Sequence, residues 1–360
     1  MIATLVFIFI LSTLILVHEF GHFAAARKMG VRVEKFSLGF GPQLFRIKRK
    51  GTEYALSAIP LGGFVKLAGD SLEEFTGKKD EYYAKPPGKR FHIIFWGPLL
   101  NYCLGFLFFW LIFFVGYPSL TTKIGGLIDD FGAKEAGLQV GDKITAVDGK
   151  KVEYWEDLQR VIYSKRSDNK VSLSVLRNSK EFSAEVSIKE KEYSDQLGQK
   201  RSVGLLGITP FDEIIEVKHG FLQSFVLSAK KTWELTSMTY KGLWRIITGK
   251  LSVRDSVTGP LGIFYITSKV AKLGVIAVLH LIAVLSVSLA IFNLLPLPIM
   301  DGGHILLLGL ERLRGRALSI KSEQVISRIG FSMIICLAVL VTFNDIARLF
   351  GDKITKFFGK

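Results

Sequence analysis

Cysteine is nearly absent: Cys103 and Cys336 are the two in 360 residues. Each lies inside a long apolar run, so neither a disulfide framework nor a cysteine metal site is indicated. Acidic residues are also short, 32 Asp and Glu against 47 Lys and Arg, and the net charge of +15 suits either nucleic acid or an anionic membrane surface. No internal repeat is visible. The first apolar run has no basic segment ahead of it and carries ionisable residues near its end, so it reads as a retained element and not as a cleaved signal peptide. What is abundant is apolar. Hydrophobic residues make up 49% of the chain, Phe occurs 28 times, and the mean hydropathy is +0.33. The charges collect in blocks beside the apolar runs, which favours membrane over nucleic acid as the partner.

A spanning helix needs about 20 apolar residues. Four segments approach that: Ile2 to Ala26, Phe91 to Val115, Gly274 to Leu295, and residues 325–343. Basic residues close to the spans set orientation. Residues 27–50 hold eight Lys or Arg against Glu34 alone, and residues 312–328 hold five against Glu323 alone, so both flanks are expected in the cytoplasm. The N-terminus, the long insert from about residue 117 to 273, and the C-terminal tail then lie on the opposite side.

The chain divides accordingly. Residues 1–115 hold two spans and, at about 30–90, a cytoplasmic membrane-associated β region. Residues 116–215 form a β-rich domain. Residues 216–273 carry amphipathic or linker helices, and 274–360 the last two spans. In the insert, "KVSLSVLRNSKEFSAEVSI" alternates on both sides of an Arg-Asn-Ser turn and reads as a hairpin, while "YWEDLQRVI" reads as a helix. "AGLQVGDKITAVDG", Ala136 to Gly149, resembles the signature of PDZ domains, in which a glycine-rich loop presents backbone N–H groups to a peptide terminus.

The first span contains "VHEFGH". On a helix His18 and His22 stand one turn apart on one face, where both imidazoles reach one zinc ion, and Glu19 beside them can serve as general base. An ionisable residue in the membrane costs about 2.5–3.5 kcal/mol on insertion scales, so function is the default reading. Two histidines leave zinc short of a protein ligand. The best third candidate is Asp301 in "NLLPLPIMDGGH", at the cytoplasmic end of the third span, although a turn aspartate before two glycines is the plainer reading of that residue alone. His304 competes as a ligand. His280 is too distant along the span, and His92 and His219 read as interface or surface residues. Pro296 and Pro298 break the span after Asn293 and free polar groups to line a cavity. "AIPLGGFVKL" reads as a short strand-turn-strand able to add a substrate strand by edge pairing, with Gly62, Gly63 and Phe64 as candidate contacts, or else as an ordinary hairpin.

HExxH on a first span, an aspartate-glycine motif on a later one and an inserted PDZ-like domain resemble the site-2 protease family of intramembrane zinc metalloproteases, and within it the bacterial RseP-like branch. The resemblance runs over nearly the whole chain and includes "SLGFGP" (Ser37 to Pro42), "IPLGGFVKLAG" (Ile59 to Gly69), "GPLLN" (Gly97 to Asn101) and "NLLPLPIMDGG" (Asn293 to Gly303). It implies an α-helical polytopic membrane protein of about four spans with an inserted β-rich PDZ domain. It further implies one Zn2+ per chain on His18, His22 and Asp301, Glu19 as base, and Asn293 on the substrate backbone. Met300 stands where Leu is usual, Trp96 where a small residue is common, and one PDZ signature appears where the best-known members carry two. The implied activity is hydrolysis of a peptide bond in the membrane segment of a single-span protein, an anti-sigma factor or a remnant signal peptide. The implied location is the bacterial inner membrane, with the active site toward the cytoplasm, the PDZ domain outside, and a PDZ peptide ligand and the bilayer as further partners. The rival readings are a PDZ adaptor without proteolytic activity, against which the complete His18, Glu19, His22 and Asp301 set argues, and a metal transporter, for which internal repeats are missing. No nucleic-acid partner is expected.

Overall fold

The computed structural model describes residues 2–163, 165, 170–194, 200–252, 258–315 and 319–358. Two compact units divide it: Met1–Ile112 with Ser224–Leu243 and Val253–Lys360, and Phe113–Gln223 with Trp244–Ser252.

In the first unit, helix α1 (Ile2–Lys28) leads into strands β1 (Val33–Arg49) and β2 (Thr52–Leu67), then helix α2 (Pro87–Val115). Both helices extend beyond the apolar runs that announced them, because Arg27 and Lys28 at one end and Lys89 and Arg90 at the other continue the backbone hydrogen bonding into more polar surroundings. β1 and β2 turn at Lys50 and Gly51, both at positive φ, and fold back on each other more than once. Lys35–Leu38 has partners on both sides, Gly63–Lys66 on one and Glu53–Leu56 on the other, and Glu53–Leu56 also pairs with Phe45–Lys48. Gly63–Lys66 is thus an edge. "AIPLGGFVKL" is not a self-contained strand-turn-strand: Ile59 pairs with Phe40 and Gly63 with Leu38, so its two arms both lean on β1, with a bend at Gly62 (φ +145°). Phe23 of α1 stacks edge-on with Phe36 and Tyr54, fixing the sheet to the end of the first span.

The second unit begins with β3 (Tyr117–Leu120), β4 (Ile124–Leu127), the single turn α3 (Gly132–Glu135), β5 (Lys143–Val147), β6 (Lys150–Lys151) and helix α4 (Trp155–Tyr163). It continues through β7 (Lys170–Arg177), β8 (Lys180–Ser187), β9 (Lys189–Ser194), β10 (Lys200–Leu205), β11 (Ile208–Pro210) and β12 (Ile214–Val217). A four-stranded sheet runs β6-β5-β7-β8, and β9–β10, β4–β11 and β3–β12 form pairs. Ile124, Ile144, Val147, Leu158, Leu173, Val175 and Val186 make its core, drawn from alternate strand positions and the apolar face of α4. Asp142, buried, pairs with Arg177 at 2.7 Å, and the guanidinium holds its carboxyl below the usual carboxylate range.

The loop Ala136–Gly141 uses most of its N–H groups internally: Ala136 donates to Gly132, Gly137 to Lys134, Leu138 to Ala133, Gly141 to Ile124, and Gln139 to the Asp142 carboxylate. It braces α3 and β4.

Helix α5 (Phe221–Ile247) and the shorter α6 (Pro260–Val270) fill the stretch read as linker helices. α7 (Val275–Asn293) is the third apolar helix. It stops at Asn293, two residues short of the predicted end, because Pro296 and Pro298 cannot supply the N–H groups that would continue it. Residues 294–300 form turns, after which α8 (Asp301–Arg314) and the long α9 (Ile320–Phe358) follow. Among the described residues four helices are long and apolar enough to cross a membrane: α1, α2, α7, and Gln324–Ala347 within α9.

The β7–β8 turn places both Asn178 (φ 49°) and Ser179 (φ 64°) in the left-handed region, the geometry that prefers Asn-Gly. Replacing Ser179 by Gly is expected to stabilise the hairpin by about 0.5–1 kcal/mol, seen as slower amide exchange in β7 and β8. The Asp142 pair contributes stability above the ordinary Asp pKa, so acidification from neutrality should leave this unit unchanged until the pH falls below about 4, then weaken it as Asp142 protonates. In Arg177→Met the depression is removed, so the variant should be less stable than the parent at neutral pH and should lose less on acidification, measured by thermal melts across pH.

Candidate active site

His18, Glu19 and His22 occupy the last third of α1. The two imidazoles meet with Nε2 atoms 3.1 Å apart and ring planes at 87°. The Nδ1–H of His22 donates to the backbone carbonyl of Ile93 on α2 at 2.9 Å. That bond leaves Nε2 as the unprotonated, electron-pair-donating nitrogen, aimed at His18.

Two glycines make this approach possible. A Cβ on Gly21 would strike the Trp96 carbonyl, and one on Gly97 would strike the His22 ring and come within 3.0 Å of His18 Cε1. α1 and α2 therefore cross at backbone distance, as small residues permit in membranes. Trp96 lends its carbonyl to the crossing while its side chain packs beside the Phe23 cluster.

The aspartate arrives from the far end of the chain. Once α7 has ended, the turns of residues 294–300 bring Asp301 to the first position of α8, with Met300 as N-cap. Gly302 and Gly303 are needed because Cβ atoms there would run into the carbonyls of Leu294, Leu295 and Leu297. Asp301 Oδ2 lies 3.2 Å from His18 Nε2, and Oδ1 lies 3.6 Å from His22 Nε2. Among the described residues His18, His22 and Asp301 form the one cluster whose donor atoms all lie within 4.8 Å of each other. Asp301 Oδ2 is buried with no hydrogen-bond partner, an expense that a cation would offset. Two neutral nitrogens and a carboxylate oxygen are a donor set that suits Zn2+.

Glu19 stands beside this cluster and shares the lining of its cavity with Val65 of the edge strand. On the same edge the N–H of Leu67 goes to Asp70 Oδ2 at 3.0 Å, at the end away from Gly62–Phe64. Gly63 packs directly on α1, where a Cβ would sit 3.0 Å from Ile15 Cγ2 and 3.4 Å from Glu19 Cγ. Phe64 stacks on Phe40 with rings nearly parallel. Asn293, the last residue of α7, holds its Nδ2 3.5 Å from both ring nitrogens of His18. Pro298 lines the adjoining cavity, and Pro296 lies in the same turns.

The cavity, of about 290 Å3, has Glu19, His22 and Asp301 in its wall, with Val65, Ile93, Ile94 and Leu308 among its apolar lining. His304 reaches this cavity but not the three-residue cluster. His280 packs on Phe109, and His219 on Phe113 and Tyr117. Sequence reasoning missed the Ile93 carbonyl, the packing of Gly63 beside Glu19 and the Gly21–Gly97 crossing. Only the crossing left a signal, as a glycine on each apolar helix.

Two histidines and a glutamate on an apolar helix, with an aspartate brought beside them by α8, mark the chain as an intramembrane metalloprotease. The chain belongs to Peptidase family M50, whose model matches residues 6–337. Its relatives include "Putative zinc metalloprotease Cj1068" of Campylobacter jejuni, 33% identical over 348 residues that cover 96% of this chain and 93% of that one. "Regulator of sigma-W protease RasP" of Bacillus subtilis is 27% identical over 424 residues, covering 96% and 98%. Among solved structures, the PDZ domain of an SdrC-like protein from Listeria innocua matches 26% of this chain and 96% of its own at 19% identity, with a TM-score of 0.22 on which no argument is built. The protein is thus a multi-pass membrane zinc metalloprotease of the site-2 type.

Gly97→Ala should force the two imidazoles apart. Zinc affinity, measured by chelator competition, is expected to fall at least about tenfold while helix content by circular dichroism is retained.

Proposed function

We propose that His18 Nε2, His22 Nε2 and an Asp301 carboxylate oxygen hold one zinc ion per chain, and that Glu19 is the general base for hydrolysis of a peptide bond in a single-span membrane protein. The observation that carries this is the convergence of the three donors from α1 and α8 beside a carboxylate that belongs to none of them. When bound, zinc supplies a Lewis acid that polarises the scissile carbonyl and makes water nucleophilic near neutral pH. Glu19 takes a proton from the attacking water on its carboxylate and delivers it to the leaving nitrogen. The Ile93 carbonyl keeps His22 in its donating tautomer throughout.

A substrate helix hides its peptide bonds within its own hydrogen-bond ladder, so the cut segment has to be held extended. Gly62, Gly63 and Phe64 offer the open end of the edge for that purpose. Asn293 presents its amide to the substrate backbone, and Pro296 and Pro298 keep residues 294–300 out of the helix that would otherwise fill this space. The basic flanks of residues 27–50 and 312–328 support a cytoplasmic location for the active site in the bacterial inner membrane. The β-rich unit, read as a PDZ domain spanning about residues 116–215, then lies outside, where it has access to a peptide ligand. RasP is named as a regulator of sigma-W, which favours a regulatory membrane protein such as an anti-sigma factor as substrate. Remnant signal peptides have the same single-span chemistry.

Full-length protein in detergent is expected to contain one zinc per chain and to cleave a single-span reporter with a destabilised helix. Glu19→Gln should keep the metal and lower kcat/KM roughly 100-fold to 10,000-fold. Metal-loaded parent that cuts none of a panel of such reporters, or a Glu19→Gln variant as active as the parent, would overturn the assignment.

A further inference from the structure

α8 carries Asp301 yet is weakly anchored. Of its residues only Gly302, Gly303 and Leu308 are buried, while Leu306, Leu310 and Leu313 are exposed. The two glycines rest on residues 294–298, and Pro298 and Ile299 of the same turns pack at Gly330 of α9. That contact holds the start of the helix; its far end needs a second one to fix its direction.

Asp301, His304, Leu308 and Glu311 follow one another at helical spacing and all line the catalytic cavity, as do Arg90, Ile93 and Ile94 of α2. Ten residues of helix put Glu311 about 15 Å from Asp301 along the axis. There Glu311 Oε1 pairs with Arg90, whose residue is only 4% exposed. Arg90 is itself held: its Nε donates to the Lys85 carbonyl at 3.0 Å, and its guanidinium lies 5.8 Å from the Tyr82 ring centroid and 5.2 Å from that of Tyr83. One turn beyond Arg90 on the same helix is Ile93, whose carbonyl orients His22. The helix that orients one donor is thus clamped to the helix that carries another.

We propose that Arg90 and Glu311 are positioning residues for the metal centre: their buried ion pair sets α8 against α2 and thereby holds Asp301 within reach of His18 and His22. The proposal rests on the metal-ligand reading above. A guanidinium confined between two tyrosine rings and a backbone carbonyl has little freedom to follow a moving carboxylate, so the pair fixes the direction of α8 as well as its distance.

The test uses full-length protein in detergent, stripped of metal and titrated with Co2+ and with Zn2+ against a competing chelator. Glu311→Gln, which keeps volume and one hydrogen bond, is expected to lower affinity for both ions about tenfold or more and to alter the visible Co2+ spectrum. Arg90→Glu should do the same, and the reversed pair Arg90→Glu/Glu311→Arg should recover most of the affinity and the parental spectrum. A merely structural role would lower the thermal transition of the metal-free protein and leave the Co2+ spectrum of the bound form unchanged; that result overturns the proposal. So does parental affinity in Glu311→Gln, which would mean that lipid contact along Leu306, Leu310 and Leu313 suffices to place the helix. If the parent itself binds neither ion, the metal-ligand reading fails instead, and the two failures are distinguishable.

Discussion

Everything at the site depends on how closely α1 and α2 pass each other. In a membrane no water stands ready to satisfy a stray imidazole N–H, so each must find its partner in protein. His22 finds the Ile93 carbonyl, and it can do so only because Gly21 and Gly97 remove the side chains that would hold the helices apart. Without that crossing nothing would hold the proton on His22 Nδ1, and the Nε2 lone pair would not be kept toward Asp301.

The same logic of close approach returns at the other end of the chain. Pro296 and Pro298 deny α7 its continuation, and Gly302 and Gly303 let the restarted helix fold back against the carbonyls the break exposed. Breaking a membrane helix is costly unless the freed groups are used. Here the break is what turns an aspartate, otherwise one more residue along a span, into a side chain that faces a helix from the opposite end of the sequence.

Much of this was legible beforehand because lipid makes polar residues conspicuous. His18, Glu19 and His22 stood out as charges in an apolar run, Asp301 as the carboxylate at the matching membrane depth, and the end of α7 as a pair of prolines. The β7–β8 hairpin was legible from strict alternation around Arg-Asn-Ser. What stayed hidden was carried by backbone or by distance. The Ile93 carbonyl and the packing of Gly63 beside Glu19 have no side-chain signature to betray them. Arg90 and Glu311 lie 221 positions apart, and each alone reads as a charge at a helix end. The Ala136–Gly141 loop shows the same limit: its glycines announce unusual backbone but not which neighbours take its N–H groups.

One of those hidden contacts reaches further than local stability. Gly63 packs on α1 beside Glu19, so the base stands against the very strand that forms an edge of the sheet. Side chains on a strand repeat every two residues, and a slip of one turns every residue over. For any chain that pairs with this edge, the positions that bring a peptide bond before Glu19 in the same orientation recur in steps of two. The enzyme would then read its substrate in a frame, and the parity of a residue along the unwound segment, as much as its chemistry, would decide whether the bond beside it is cut.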